Sequence, residues 1–137
     1  MNNPEVVLCL DVFDVNAAVA WWRALANFRP VHQHAVGLIG ERVRLRSELV
    51  PSLALDLHTC RPRPVTGCTI GSIRSITIHL DDPDAAVAAL GAALGAAAVI
   101  EVERAEGSIT LRDSHGYLIC VAAHRREDSA CTASTPL

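Results

Sequence analysis

The sequence predicts an α+β fold of two tandem βαβββ modules, and three observations carry that expectation. A stretch from Leu8 to Trp22, LCLDVFDVNAAVAWW, occurs again as ITIHLDDPDAAVAAL from Ile76 to Leu90, an offset of 68 positions in a chain of 137. Within each copy the hydrophobic period switches from two to between three and four residues, the change from strand to helix. The residues that start and stop the helix also fall on one another, Asp14 on Asp82 and Asn27 on Gly95. Self-similarity at a fixed offset marks one supersecondary unit used twice.

Each copy opens as a half-buried strand. Leu8, Leu10 and Val12 form the apolar face of the first, with Cys9 and Asp11 opposite; Ile76, Ile78 and Leu80 alternate with Thr77 and His79 in the second. Asp14 and Asp82 stand at the N-cap, where a carboxylate accepts from first-turn amides, and Pro83 suits the first helical position. Val15, Ala18, Val19, Trp22, Leu25 and Ala26 line one face of the first helix; Ala86, Val87, Leu90, Ala93 and Leu94 do so in the second. Trp22 is expected in the core and Trp21 over an edge or a dimer contact. Asn27 and Gly95 end the helices, both residues that tolerate a left-handed C′ position.

The remaining strands of module one are expected near 28–36, 38–46 and 52–58, with breaks at Gly37 and Pro51. Residues 59–72, with Pro62, Pro64, Gly67 and Gly71, form a linker whose Arg61 and Arg63 are solvated charges or, alternatively, anion contacts. Module two is expected as a strand over 73–80, a helix over 83–94 and strands near 98–104, 108–112 and 117–123. One domain thus spans 1–124, with module one at about 5–58 and module two at about 73–124, and a polar, small-residue tail at 125–137 is expected to be disordered.

Composition narrows the function classes. Half of the residues are hydrophobic, enough for a real core, and a net charge of −3 gives no case for nucleic acid or an anionic membrane as partner. The longest apolar run, 85–100, reads as helix and packing rather than a span, and 1–5 lacks the features of a signal peptide, so a soluble cytoplasmic protein is expected. Five cysteines (Cys9, Cys60, Cys68, Cys120, Cys131) without a C-x-x-C pair fit reduced thiols. All twelve basic residues are Arg, and the Ala-rich, Lys-free composition suggests a high-GC bacterial source and natural-product metabolism.

The duplicated βαβββ plan, the Asp cap before an A-A-V-A helix, and the hairpin ITLRDSHGYLICVA at 109–122 together resemble the vicinal oxygen chelate superfamily, which includes glyoxalase I, bleomycin-resistance proteins and extradiol dioxygenases. The hairpin is similar to that superfamily's R-D-P-D-G-N-x-x-E-L segment, keeping Arg112, Asp113 and Gly116. The resemblance covers residues 5–124 and implies two glyoxalase-like half-barrels around a shared cavity, with the helices on the convex sides. It also implies metal-ligand positions at Val7, Ser75, Cys120 and Asp56. Three of these are poor donors for a hard cation. His79 lies four residues past Ser75, roughly 13 Å along a strand, too far to replace it. No metal and no cofactor are therefore expected.

The two-residue period turns Cys9, Asp11, Asp56, His58, Thr77, His79 and Cys120 toward the concave side. Asp11 and His79 are equivalent under the repeat, so they are expected at matching depth and close enough to interact, as an aspartate that tunes an imidazole for acid-base work. His79, Asp11 and Asp56 are the candidate catalytic residues; Cys9, His58, Thr77, Cys120 and Tyr117, at the cavity mouth, are the candidate ligand contacts. The plain alternative makes Asp11 and His79 a solvated or structural pair, and Cys120 a small buried hydrophobe. His32 and His34 form an H-x-H on a strand face but lack a third ligand at suitable spacing.

Three functions follow. The first is a metal-independent enzyme performing isomerisation, cyclisation, dehydration or lyase chemistry on a small organic molecule. The second is a non-catalytic protein that sequesters such a molecule, as bleomycin-resistance relatives do; the third is a metalloenzyme with unusual ligands. Scarce aromatic residues and a titratable inward set lean toward the first. A homodimer is expected, since such modules commonly pair.

Overall fold

Alternating side chains give each half of the chain one apolar strand face, and a helix covers it. The computed structural model describes residues 6–35, 41–59 and 75–124. Module one comprises β1 (Val6–Val12), α1 (Val15–Ala26), β2 (Arg29–Ala35), β3 (Glu41–Arg46) and β4 (Leu53–Thr59). Module two comprises β5 (Ser75–Leu80), α2 (Pro83–Leu94), a 3-10 turn (Ala96–Ala98), β6 (Ile100–Ala105), β7 (Ser108–Arg112) and β8 (Leu118–Ala123). The strands form two separate sheets of identical plan, β1-β4-β3-β2 and β5-β8-β7-β6. In each, the first strand runs parallel to the last and the other pairings are antiparallel.

The helix boundaries follow from their caps. Asp14 Oδ1 accepts from Ala17 N at 3.0 Å and Asp82 Oδ1 from Ala85 N at 3.1 Å, the same bond at the same place in each copy. Asn27 closes α1 in the left-handed conformation expected of it (φ 56°, ψ 34°). Gly95 departs from that pattern. At φ 98° and ψ 158° it occupies extended space open essentially only to glycine, and the chain enters a 3-10 turn instead.

Leu10, Val12, Leu45, Leu55, Leu57, Ile78, Leu90, Leu111, Ile119 and Val121 belong to one core shared by both modules. Trp21 joins it rather than covering an edge: both tryptophans are buried, their rings edge-to-face at 5.2 Å, with Phe28 beyond Trp22 at 5.4 Å. Neighbours on a helix point about 100° apart, so burying both requires two partner surfaces. The sheet is one and α2, which packs on α1, is the other. On α2 only Val87 and Leu90 are buried. Ala93 and Leu94, expected in the core, are exposed, as is all of β6 including Ile100 and Val102.

A turn of module two clasps module one. Asp113, nine-tenths or more buried, accepts from Tyr117 N at 2.8 Å and His115 N at 2.9 Å through one carboxylate oxygen. The turn so fixed sends Tyr117 Oη to the Asp11 backbone, donating to its carbonyl and accepting from its amide, each at 3.1 Å. His115 Nε2 accepts from Asp14 N at 3.2 Å, and its ring lies 4.8 Å from that of Phe13. This arrangement explains the retained Asp113 and Gly116 of the hairpin, since Gly116 takes φ 93° within the turn.

Tyr117→Phe removes only the hydroxyl of the clasp and is expected to lower unfolding stability by about 1 kcal/mol, whereas Asp113→Ala, which leaves the buried Tyr117 amide and the part-buried His115 amide without their acceptor, costs about 2–3 kcal/mol. Urea unfolding of the two variants measures both. Equal and negligible losses would mean that the turn does not hold the modules together.

Candidate functional site

Hydrogen-bond register sorts the side chains on the helix-free face into rows. In module one the rows are Val7–Ala54–Arg46–Arg29, Cys9–Asp56–Arg44 and Asp11–His58–Arg42. In module two the matching rows are Ser75–Leu118–Arg112, Thr77–Cys120–Thr110 and His79–Ala122–Ser108. Every residue expected on the concave side therefore lies on that face. Cys9, Asp11, Thr77 and His79 are exposed there, His58 and Cys120 are half-buried, and Asp56 is buried.

Pairings within the face differ from those expected. Asp11 Oδ1 stands 3.7 Å from His58 Nδ1, an ion-pair separation too long for a hydrogen bond. Asp11 and His79 form neither a hydrogen bond nor an ion pair among the described residues; the His79 ring instead stacks near His124, with centroids 6.1 Å apart. Equivalence under the repeat fixes equal depth, not contact. Asp56, a candidate acid or base, holds Arg44 in a bidentate pair at 2.8 and 3.0 Å. Tyr117, placed by the sequence at the cavity mouth, has its ring in the core and its hydroxyl on Asp11, because the clasp draws it inward.

A concavity of about 780 Å³ runs along the seam where β1 and β5 face each other as sheet edges. Its walls include Val6, Leu8, Leu53, Ile76 and Ile78, and its polar groups include Ser75, Thr77, His79 and His124. That volume and mix suit a small organic molecule. A smaller cleft of about 190 Å³ lies where Leu49 of the β3–β4 turn meets Leu80 and Asp82.

The metal implied by the superfamily finds no suitable cage here. Val7 has no donor atom, the Asp56 carboxylate is committed to Arg44, and no group of three His, Cys, Asp or Glu side chains among the described residues is disposed to hold an ion. Cys9 and Cys120 are free thiols. Cys60, Cys68, Cys131, Arg61 and Arg63, with most of the linker and the tail, lie outside the described residues, as do the side chains of His32 and His34.

Two features escaped the sequence reading. Arg42, Arg44 and Arg46 share one strand face, a signal present in the alternation of ERVRLR. His115 was absent from the candidate set, and only its tertiary contacts reveal it. Burial lowers its pKa from the usual imidazole value, against the pull of the Asp113 and Asp14 carboxylates. Burial likewise raises that of Asp113, opposed by the Tyr117 and His115 amides.

Residues 7–122 match the family model of the glyoxalase-like domain. No curated protein matches the chain. Among solved structures, TioX from Micromonospora sp. ML1 is similar at a TM-score of 0.65 and 16% identity, covering 90% of this chain and 100% of that one. TnmS3, an antibiotic binding protein from Streptomyces sp. CB03234, gives 0.64 at 19% identity over 91% and 99% of the two chains. Glyoxalase I of Leishmania major gives 0.66 at 15% identity over 98% and 96%. Among the described residues, no helix is long and apolar enough to cross a membrane.

The lowered pKa of His115 has a definite sign. The folded state takes up a proton less readily than the unfolded one, so this stability is complete above the ordinary imidazole pKa of about 6.5 and is lost as pH falls through the lower folded value. Protonation also abolishes the Nε2 acceptor used by Asp14 N. Urea unfolding between about pH 8 and about pH 5.5 should show the wild type losing more stability than His115→Phe, which keeps a ring against Phe13. Parallel pH profiles would remove His115 from the clasp.

Proposed function

The chain belongs to the glyoxalase-like domain family of the vicinal oxygen chelate superfamily, and on that premise we propose that it binds a small organic molecule in the seam cleft without transforming it. The observation that carries this reading is the cleft itself: apolar walls supplied by both modules, a few polar groups from β5 and the end of β8, and a volume of about 780 Å³. Support also comes from the side chains on which acid-base chemistry would depend. Asp56 is engaged by Arg44, and Asp11 and His79 do not pair. The structural neighbour described as an antibiotic binding protein makes an antibiotic-like natural product a reasonable ligand class.

Metal-independent acid-base catalysis is a second reading, favoured by one observation, the approach of His58 Nδ1 to Asp11 Oδ1. It shifts the base from His79 to His58. Mass spectrometry of any small molecule that co-purifies separates the two: recovery unchanged after incubation supports binding, and conversion that His58→Ala abolishes supports catalysis. A homodimer remains part of the proposal, with the exposed apolar residues Leu94, Ile100 and Val102 as the surface it would cover.

The neutral fluorophore N-phenylnaphthylamine tests the cleft directly. Its fluorescence is expected to rise on binding the protein, and Thr77→Trp, which places an indole in the cleft from an exposed strand position, should weaken that binding by about tenfold or more, a difference of about 1.4 kcal/mol. As a surface substitution it should shift unfolding stability by no more than about 0.5 kcal/mol. Binding unaffected by Thr77→Trp would place the ligand elsewhere.

A further inference from the structure

The repeat gives each module a turn before its last strand, and the two turns make different contacts. Ala54 pairs with Val7 as Leu118 pairs with Ser75, so the β3–β4 turn of module one is the counterpart of the clasp turn in module two, with Leu53 in the place of Tyr117. The clasp closes its end of the boundary between modules by bonding Tyr117 and His115 to Asp11 and Asp14. Under the 68-residue offset those partners correspond to His79 and Asp82. Leu53 has no hydroxyl to send across, and among the described residues no hydrogen bond joins residues 47–53 to module two. The cleft of about 190 Å³ beside Leu80, Asp81 and Asp82 is the gap left at that end.

The open turn is nevertheless fixed from behind. Buried Ser47 donates from Oγ to Ala26 O at 2.6 Å, at the end of α1, and the same oxygen accepts from Leu49 N at 3.0 Å, the bond by which a serine sets the residue two places on. Val50 N donates to Ser47 O at 3.2 Å, and Val6 N, donating to Ser52 O at 2.9 Å, ties the far side of the turn to β1. Val50 enters the core, whereas Leu49 is left 52% exposed. A leucine on an anchored backbone, with half of its surface bare, is apolar area preorganised for a ligand to cover.

Leu49 lines both the seam cleft and the smaller one, as does His124. The opposite wall continues along β5 from one to the other: Ser75 to His79 bound the seam cleft, and Leu80 and Asp81 the smaller cleft. Ile76, Ile78 and Leu80 share the buried face of that strand, so the two concavities lie end to end on one side of it. His124 is largely exposed, with Nε2 drawn to within 3.6 Å of Asp81 Oδ1, which leaves Leu49 as the apolar closure between them.

We propose that Leu49 is a specificity-determining residue that sets how long an apolar ligand the seam cleft takes. A molecule lying along β5 packs its end on this side chain, and a longer one collides with it. A smaller residue there opens the seam into the smaller cleft, where Leu25, Leu80 and Ala86 continue the apolar wall. The proposal rests on the seam cleft as the binding site.

Straight-chain alcohols from butanol to decanol, displacing N-phenylnaphthylamine from the wild type, Leu49→Ala and Leu49→Trp, test it. In the wild type each added methylene should strengthen displacement about fourfold until the chain reaches Leu49, after which affinity levels off. The plateau should come about two methylenes later in Leu49→Ala, the reach of a leucine beyond its Cβ, and earlier than in the wild type in Leu49→Trp. The two substitutions shift it in opposite directions, so either decides the matter if the other fails to fold. A plateau at the same chain length in all three proteins, whatever the absolute affinities, or no displacement at any length, would overturn the role of Leu49 while leaving the seam cleft standing. Absence of N-phenylnaphthylamine binding to the wild type would overturn the cleft and the role of Leu49 together.

Discussion

The two four-stranded sheets do not join, and the rest of the molecule depends on that separation. β1 and β5 are sheet edges, and instead of pairing they face each other across the seam cleft. An unpaired strand edge is a liability in water, because its amides and carbonyls invite other chains. Here residues of both edges line a concavity. What holds the edges apart at fixed spacing lies behind and beside them: α1 packed on α2, and the turn of module two bonded to the end of β1 through Tyr117.

Duplication accounts for the frame and divergence for its content. The Asp caps make the same bond in both modules, and the sheets share one strand order. Departures occur both in the core and on the sheet faces. The first module buries two tryptophans under a well-packed α1, whereas α2 is largely alanine on its outer side and buries two residues. The helix-free faces diverge as far: β3 presents Arg42, Arg44 and Arg46 where β7 presents Ser108, Thr110 and Arg112. A fold of this kind hosts many functions, and exposed face residues of this sort are where they differ.

Local chemistry was legible in the sequence. Both helices begin and end where the caps placed them, at Val15–Ala26 and Pro83–Leu94, because an N-cap bond spans three residues and needs nothing from elsewhere. Strand faces were legible too, since a period of two assigns Cys9, Asp11, Thr77 and His79 to one side without reference to a partner. What the alternation does not contain is the cross-strand register. Asp56 meets Arg44 and Asp11 meets His58 through pairings between β1, β4 and β3, and no periodicity within a single strand encodes those. Trp21 and Tyr117 lie inward for the same reason: the burial of each depends on tertiary packing, for Tyr117 a contact between modules.

Asp56 shows why register matters for function. A buried carboxylate without a partner would be a candidate proton acceptor, but one that accepts two guanidinium bonds is a structural anchor, and removing Arg44 takes away the countercharge of a buried carboxylate. Its effect on the face is indirect. By accepting two bonds from Arg44, Asp56 fixes that guanidinium on the face. A carboxylate engaged in this way positions a cation on the sheet face instead of moving protons.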